Sequence, residues 1–351
     1  MNANDPRGAS QPDAIDAAAV VGPASSGAAI GVIGIGAMGG AIARRLLDCG
    51  HRVVICDVDP MQTEALAAAG AIVATSAVDV ADQVATQVAT QRATEQATEA
   101  ATEAGIIFIV VVDAAQTDDV LFGERGITAS GRRGLTIVMC STVGARYAAA
   151  LRPRLFEHGI DLVDAPISGG PQRARDGTMS MMIGAAHPVY ARVQSLLAVV
   201  ASRRFHVGER AGDGSAMKIV NNMLAGINLA AAAEALALAE QLGMDLRIVR
   251  DVVNASSGGS WIFADRVPRM LDGDYAPAKA AARILAKDVG IALEEADAAG
   301  VPATIARAAH DVFTGAVAQG LGSLDDAAVI DYCRAQISRI SHCASKPELK
   351  S

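Results

Sequence analysis

The chain has 351 residues, which is enough for one large domain or two ordinary ones. Apolar residues make up 51% of the sequence and aromatic residues only 3%, so we expect a large core of mainly aliphatic side chains. The net charge is -8 and the sequence has no basic run, which argues against nucleic acid as the main partner, because phosphate binding needs clustered Lys and Arg.

Residues 1–28 are rich in Ala, Ser, Pro and Asp, and this composition predicts a disordered tail. They lack the basic region and the long apolar stretch of a secretory signal, and no apolar run in the sequence approaches the ~20 residues of a membrane span. The five cysteines form no C-x-x-C pair, which favours buried, reduced thiols over metal or redox chemistry. We therefore expect a cytoplasmic protein that binds neither a metal nor a membrane.

Order is expected to begin at residue 29. The run AIGVIGIG predicts a buried strand that ends in a glycine-rich turn, AMGGAIARRLLDCG predicts a helix, and HRVVICD predicts a second strand. Strand, helix and strand in this order form a βαβ unit, which predicts a parallel sheet. Further apolar runs predict strands that are buried on both faces. They lie at 71–74, 106–112, 135–141, 160–165 and 179–185.

A four-residue repeat interrupts this pattern at 84–103, where the sequence reads VATQ-VATQ-RATE-QATE-AATE. Because a four-residue spacing drifts slowly around a helix of 3.6 residues per turn, the repeat is compatible with a helical excursion. The same composition suits a solvated, low-complexity insert, and both interpretations stay open. We assign this segment no catalytic role.

The pattern changes after Gly214. The run SAMKIVNNMLAGINLAAAAEALALAEQLG predicts a single helix of about 40 Å, and further helical segments follow without a convincing strand. We therefore predict an α/β domain at 29–211 and an all-helical domain at 212–341, joined by this long interdomain helix. Residues 342–351 are expected to form a second loose tail.

Three glycines, Gly34, Gly36 and Gly39, form a G-x-G-x-x-G motif between the first predicted strand and helix. The first permits a tight turn, the second lets the backbone approach a pyrophosphate, and the third lets the helix pack closely on the strand. In this context the motif predicts a Rossmann-type fold, a doubly wound parallel sheet that binds a dinucleotide. The expected cofactor contacts come from Gly34, Ile35, Gly36, Ala37, Met38 and Gly39.

Asp57 ends the second predicted strand, about 20 residues beyond the glycines, where a carboxylate can accept hydrogen bonds from the ribose hydroxyls of a dinucleotide. The same carboxylate would repel a 2′-phosphate. The residues that follow, Val58, Asp59 and Pro60, include no Arg that could bind one. Asp57 therefore predicts NAD rather than NADP as the cofactor.

The segment DAPISGG at 164–170 combines a stiff turn with polar groups. Pro166 stiffens the turn, Ser168 offers a hydroxyl, and Gly169 and Gly170 expose backbone N–H groups. A Ser-Gly-Gly sequence is more often only a loop, but this combination suits a ligand with a carboxylate or a hydroxyl.

Lys218 and Asn222 stand four residues apart on one face of the long predicted helix. The positive end of a helix and burial both lower the pKa of a lysine, which brings it towards the range that is useful for proton transfer. Asn222 could hold a substrate hydroxyl or orient Lys218. By itself Lys218 would be interpreted as a solvent-facing lysine, and Lys287 beside Asp288 as an ordinary surface pair.

With these residues assembled, the chain resembles the β-hydroxyacid dehydrogenase family over about residues 30–335. The resemblance rests on four segments in the family's order, which are GVIGIGAMGGAIARRLLDCGHRVVICDVDP, DAPISGGPQRARDGTMSMMIG, GDGSAMKIVNNML and LAKDVGIALEEADAAGVP. It implies an NAD-dependent oxidoreductase that transfers a hydride between the cofactor and a small hydroxycarboxylic acid of the 3-hydroxyisobutyrate or L-threonate type.

The resemblance also implies roles for individual residues. Lys218 is implied as the general acid/base, with Asn222, Ser168, Gly169 and Gly170 in contact with the substrate. Further cofactor contacts are implied for Val111, Val112, Thr142 and Lys287. We further expect a homodimer or a homotetramer.

Two departures from the family pattern leave the substrate open. Val111–Val112 stand where the family often has Leu-Pro, and Arg173 replaces a residue that is small in many relatives. The alternatives are a tartronate semialdehyde (2-hydroxy-3-oxopropionate) reductase and an imine reductase, although imine reductases usually lack the lysine. A non-enzymatic alternative is a dinucleotide-sensing or scaffold protein.

Overall fold

The computed structural model describes residues 29–94 and 105–344. The predicted tail at 1–28, part of the predicted insert and residues 345–351 lie outside this range. The chain divides into two compact units, one up to Lys218 and one from Ile219 onwards. The division falls inside a long helix, α8 (Asp213–Gln241), which begins close to the boundary that the sequence predicts.

The first unit contains a nine-stranded sheet with helices between its strands. The strands are β1 (Ile30–Ile33), β2 (Val53–Cys56), β3 (Ile72–Val73), β4 (Gly105–Ile109), β5 (Leu135–Met139), β6 (Asp161–Asp164), β7 (Ile167–Ser168), β8 (Ser180–Gly184) and β9 (Arg203–Gly208). The helices are α1 (Ala37–Asp48), α2 (Glu64–Ala68), α3 (Ala77–Thr94), α4 (Ala114–Phe122), α5 (Ala145–Glu157), α6 (Gly170–Asp176) and α7 (His187–Val200).

The strand order is β3-β2-β1-β4-β5-β6-β8-β7, and β9 pairs with β8. All pairs from β3 to β6 are parallel, so the doubly wound sheet and the Rossmann-type fold are confirmed. Alternate residues belong to different apolar clusters: Val32 and Phe108 to one, Ile33 and Ile107 to the other. Since successive side chains of a strand point to opposite faces, both faces of the sheet are covered.

The far end of the sheet differs from the predicted parallel arrangement. Strand β8 runs antiparallel to both β6 and β7, and β9 returns parallel to β8. The predicted strand at 106–112 ends at Ile109, and Val110 donates one last N–H bond to the carbonyl of Ile33 at 2.8 Å. Helix α3 extends to Thr94, so the first half of the four-residue repeat is helical.

The second unit is helical. After α8 it contains α9 (Leu246–Asn254), α10 (Trp261–Asp272), α11 (Ala282–Ala298), α12 (Thr304–Ala316) and α13 (Val329–Ala344), with a π turn at Val317–Leu321 and a 3₁₀ turn at Asp326–Ala328. Within its described residues the only β pairing is an isolated bridge between Ala281 and Asp325. A core of apolar side chains includes Leu229, Phe263 and Phe313.

Helix α8 is long and apolar enough to cross a membrane by length and composition, and half of its most apolar window is buried inside the protein. The core helix of a soluble protein passes the same test, so this is weak evidence for a membrane span.

Candidate active site

The glycine-rich loop connects β1 to α1. Gly34 has φ +88°, in the region that favours glycine. A Cβ on Gly39 would lie 1.8 Å from the carbonyl oxygen of Gly34, so only glycine allows the helix to lie this close to the loop. A Cβ on Gly36, in contrast, would meet no atom within 4 Å. The loop therefore leaves open space at the position where the motif predicts a phosphate.

The start of α1 faces this space. Gly36 is its N-cap residue, so no side chain caps the helix, and the first turn contains no acidic residue. Gly36 and Ala37 are exposed, Met38 is half-buried and Ile35 is buried. The uncapped N–H groups of a first helical turn form a suitable site for an anion. These residues therefore fit the pyrophosphate of a dinucleotide.

Asp57 lies beside the loop, directly after β2. One carboxylate oxygen accepts a hydrogen bond from the N–H of Ile35 at 2.5 Å, and the other accepts from the N–H of Asp59 at 2.9 Å. The bond to Ile35 was not predicted from the sequence. It links the second strand to the glycine-rich loop and holds the carboxylate next to the open space at Gly36.

The other predicted cofactor residues of this unit follow β4 and β5. Val111 lies against Gly34, because a Cβ built there would be 3.0 Å from Cγ1 of Val111. Val112 is about half exposed, and its N–H donates to Oε1 of Gln116 at 3.0 Å. Thr142 is half-buried just beyond β5. Because parallel strands end at the same edge of a sheet, these residues share the carboxyl edge with the glycine-rich loop and Asp57.

The Ser-Gly-Gly segment connects β7 to α6. Ser168 pairs with Ser180 of β8 and is half-buried. Gly169 and Gly170 have φ of +137° and +76°, which only glycine adopts easily. A Cβ on Gly169 would lie 3.0 Å from Cδ of Arg173, so the stem of that arginine packs directly against the segment.

A buried carboxylate, to which the sequence analysis gave no role, fixes the start of α8. Asp164 ends β6 and is fully buried. One of its oxygens accepts from the N–H groups of Gly212 and Ser215, both at 2.8 Å, and the other accepts from Oγ of Ser215 at 2.7 Å. Burial raises the pKa of Asp164, and these hydrogen bonds oppose the rise. The only available sequence signal was its place in the DAPISGG segment.

Lys218 follows Ser215 by three residues on α8. Its side chain is buried, with 7% of its surface exposed, and it lies in the first unit. Asn222, with 8% exposed, lies one turn further along the same helix in the second unit. This burial does not fit the alternative of a solvent-facing lysine, which Lys218 alone, without the other motifs, would suggest.

Asn222 belongs to a hydrogen-bond network within the second unit. Its Nδ2 donates to Oδ2 of Asp288 at 2.7 Å, and its Oδ1 accepts from Nδ2 of Asn221 at 3.0 Å. Nζ of Lys287 lies 2.7 Å from Oδ1 of Asp288. The interpretation of Lys287–Asp288 as an ordinary surface pair is therefore wrong, because Asp288 is buried and orients Asn222. Sequence analysis missed this link, since Asp288 lies 66 residues from Asn222.

Among the described residues, no group of three or more His, Cys, Asp or Glu side chains is placed to hold a metal ion. The cysteines Cys56, Cys140 and Cys333 are buried and Cys49 is partly buried, all as free thiols.

The chain matches known protein families along most of its described length. Residues 29–208 match the family model for the NAD-binding domain of 6-phosphogluconate dehydrogenase, and residues 212–333 match the NAD-binding model of NADP-dependent 3-hydroxyisobutyrate dehydrogenase. L-threonate dehydrogenase of Cupriavidus necator is 38% identical over 86% of this chain and 94% of its own. 2-hydroxy-3-oxopropionate reductase of Escherichia coli is 31% identical over 86% and 95%.

The fold is also shared with solved structures. A 3-hydroxyisobutyrate dehydrogenase from Salmonella typhimurium superposes with a TM-score of 0.75 at 33% identity, covering 87% of this chain and 99% of that one. The fold and the matched domains define an NAD(P)-dependent dehydrogenase. The chain belongs to the β-hydroxyacid dehydrogenase family, in its 3-hydroxyisobutyrate dehydrogenase-like group.

Proposed function

We propose that the protein is an NAD-dependent dehydrogenase of a small hydroxycarboxylic acid of the 3-hydroxyisobutyrate or L-threonate type, with Lys218 as the general acid/base. The main observation in favour is the buried Lys218, one turn beyond the helix start that Asp164 fixes and one turn before Asn222. Reduction of 2-hydroxy-3-oxopropionate is the alternative, supported by the relative that has this activity.

The cofactor would lie along the carboxyl edge of the sheet. The open space at Gly36 and the uncapped start of α1 fit its pyrophosphate, and Asp57 fits its adenosine ribose. Val111, Val112, Thr142 and Lys287 are the further contacts that we propose. A 2′-phosphate would place negative charge beside the Asp57 carboxylate, which favours NAD over NADP. When bound, the nicotinamide ring supplies the acceptor for a hydride.

The residues of this chain would handle the proton and the orientation of the substrate. We assign the substrate carboxylate to Ser168, Gly169 and Gly170, and the reacting hydroxyl to the region of Lys218 and Asn222. Neutral Lys218 accepts the hydroxyl proton during oxidation, and protonated Lys218 returns it during reduction. The Nδ2 group of Asn222, which Asp288 holds in one orientation, donates to the hydroxyl oxygen.

The test of this proposal is Lys218→Ala, assayed with L-threonate, 3-hydroxyisobutyrate, glycerate and, with NADH, 2-hydroxy-3-oxopropionate. We expect kcat to fall by roughly 10²–10⁴-fold with NAD affinity nearly unchanged. Lys218→Arg should not restore activity, because a guanidinium stays protonated. The increase of the oxidation rate with pH should disappear in the Ala variant. The matched control is Lys279→Ala, which changes an exposed lysine. An active Lys218→Ala enzyme with the native pH profile would refute the assignment.

The cofactor preference has its own test. The native enzyme should favour NAD over NADP in kcat/KM by at least about tenfold, or ~1.4 kcal/mol. Asp57→Ala should reduce this ratio, whereas Asp59→Ala, which removes an exposed carboxylate two residues away, should leave it unchanged. Equal use of both cofactors by the native enzyme would contradict the role of Asp57. We further propose a cytoplasmic location and a homodimer or homotetramer.

A further inference from the structure

The start of α8 lies directly on the end of β6 and the middle of β8. A Cβ on Gly214 would lie 2.5 Å from the carbonyl oxygen of Asp164 and 2.6 Å from that of Met182. Carbon and oxygen atoms repel each other at such distances, so only glycine allows this contact. A Cβ on Gly184 would in turn lie 2.7 Å from the backbone nitrogen of Gly214. The first turn of α8 therefore has no room to move towards the sheet.

The same turn is also held by hydrogen bonds and by a second close contact. The N–H groups of Gly212 and Ser215 and the Oγ of Ser215 all donate to the carboxylate of Asp164, at 2.7–2.8 Å. Gly212 has φ +101°, and a Cβ there would lie 2.6 Å from the carbonyl oxygen of Ala145 in α5. These contacts hold the first turn of α8 in one place. Lys218 follows Ser215 by less than one helical turn, so its backbone is held with it.

The Ser-Gly-Gly segment is attached to the same two residues of the sheet. The chain runs to it directly from Asp164, and the carbonyl of Pro166 accepts a hydrogen bond from the N–H of Met182 at 3.0 Å. Ser168 then pairs with β8. Asp164 thus leads into the segment through its backbone and binds α8 through its side chain. Met182 binds the segment through its N–H and meets Gly214 through its carbonyl oxygen.

We infer that three residues, Asp164, Met182 and Gly214, act as positioning residues. They fix the separation between the Ser-Gly-Gly segment and Lys218, since each of them contacts both sides or the frame that both sides share. This inference rests on the proposed function, in which the segment binds the substrate carboxylate and Lys218 takes the hydroxyl proton. An error of about 1 Å in such a separation can lower a rate about 100-fold.

A fixed separation has a consequence for substrate selection. The enzyme selects hydroxyacids by the number of carbon atoms between the carboxylate and the reacting hydroxyl, because only one number brings both groups to their partners. Methyl or hydroxyl substituents on those carbon atoms do not change this number. The frame of Asp164, Met182 and Gly214 therefore determines the length of the substrate, and other residues determine which substituents it carries.

The first experiment is Gly214→Ala in the full-length enzyme, assayed with NAD and either L-threonate or 3-hydroxyisobutyrate, whichever the native enzyme oxidises faster. The added methyl group pushes the start of α8 off the backbone of β6 and β8, so Lys218 moves while the Ser-Gly-Gly segment keeps its bonds to β8. We expect kcat to fall about 100-fold and KM to change by less than about threefold. The increase of the rate with pH should persist, because the lysine is still present, whereas Lys218→Ala should abolish it.

Two comparisons separate positioning from a loss of stability, with every assay made well below the melting temperature of the variant. Gly31→Ala is the matched control, because a Cβ there would lie 2.7 Å from Cγ1 of Val80, far along the chain from the frame. It should lower the melting temperature and leave kcat unchanged. Asp164→Asn can keep all three hydrogen bonds and should hold kcat within about threefold, whereas Asp164→Ala should lower kcat at least about tenfold. The Asp164 pair decides the question if Gly214→Ala does not fold.

The second experiment measures selection by length with glycolate, 3-hydroxypropionate and 4-hydroxybutyrate, which differ only in the number of methylene groups between carboxylate and hydroxyl. The native enzyme should oxidise one of them with a kcat/KM about 100-fold above the other two, and Gly214→Ala should reduce this ratio about tenfold. Similar kcat/KM values for all three acids, whether high or undetectable, would overturn the inference. So would folded Gly214→Ala and Asp164→Ala enzymes with native kcat, and if Lys218→Ala is then inactive, the proposed function survives. An active Lys218→Ala enzyme would overturn both.

Discussion

Replacing Asp164 by alanine should destabilise the first unit by about 3–5 kcal/mol. The carboxylate is the acceptor for Gly212 N–H, Ser215 N–H and Ser215 Oγ, at 2.7–2.8 Å. In Asp164→Ala these donors stay buried without this partner, and each such loss costs about 1–3 kcal/mol. Alanine also removes the cost of burying a carboxyl group. This gain offsets part of the summed loss of the three hydrogen bonds and leaves a net destabilisation of about 3–5 kcal/mol.

Asp164→Asn separates the hydrogen bonds from the charge. An amide has the same shape as a carboxylate, and its oxygen can accept from both N–H groups. Its NH₂ group can donate to Oγ of Ser215, which is able to act as an acceptor. All three contacts at the start of α8 can therefore survive, and we expect a change in unfolding free energy below about 1 kcal/mol at neutral pH.

The two variants also differ in how their stability should depend on pH. Burial raises the pKa of Asp164 above its value in the unfolded chain. The folded protein therefore binds this proton more readily than the unfolded chain does. Protonation of Asp164 therefore contributes more to the free energy of unfolding as the pH falls, from the pKa of this group in the folded protein towards its value of about 3.9 in the unfolded chain. Asp164→Asn lacks this proton, so the native protein should gain stability relative to the Asn variant on acidification.

Urea titrations followed by far-UV circular dichroism between pH 5 and 8 measure these differences. Hydrogen exchange of the segment 212–218 then locates the effect at the start of α8. Trp261, the single tryptophan, lies in the second unit, so its fluorescence separately reports the unfolding of that unit. An Asp164→Ala protein with native stability and native protection at 212–218 would refute the argument that this carboxylate fixes the helix.

Three further predictions concern the loop, the network and the thiols. Gly36→Ala should fold normally and bind NAD at least about tenfold more weakly, which a titration with NAD measures. Gly39→Ala should lower the free energy of unfolding by about 1–3 kcal/mol or more, because its Cβ would lie 1.8 Å from the carbonyl oxygen of Gly34. Calorimetry measures this second effect. Asp288→Ala should raise the KM for the hydroxyacid about tenfold and lower kcat by a smaller factor, because Asn222 loses the partner at 2.7 Å that orients it. An unchanged KM would exclude the role of Asp288 in orienting Asn222. Burial raises the pKa of the Cys140 thiol, so Cys140 should not react with Ellman's reagent at pH 8 until urea unfolds the protein. Rapid labelling of Cys140 in the folded protein would contradict its burial.

The first βαβ unit could be predicted because its information is local. The apolar run of β1, the glycines and the helical spacing of α1 are consecutive in sequence, and each agrees with the same structure. Asp57 was predicted as a cofactor contact for the same reason, since it directly follows the very next strand. Its bond to Ile35 was not predicted, because the sequence does not show how the loop folds back on β2.

The missed elements depend on distant partners or lack an apolar run. Strand β9 contains Arg203, Arg204 and His206, so its composition does not indicate a buried strand, and it forms only because β8 offers an unpaired edge. Strand β7 has two residues and exists as a partner of β8. Asp164 and Asp288 act on residues 48–66 positions away, which no local pattern reveals.

The contacts of Asp164 with α8 have a consequence for the order in which the protein folds. Its partners lie 48 and 51 residues later in the chain, so β8, α7 and β9 are synthesised between them. A carboxylate stays hydrated until its donors arrive, because desolvating it alone is unfavourable. The central sheet from β1 to β6 can form from the residues up to Asp164, whereas the contacts that attach the start of α8 need residues 212–215. We therefore expect the edge with the glycine-rich loop and Asp57 to form before the helix that carries Lys218 is attached.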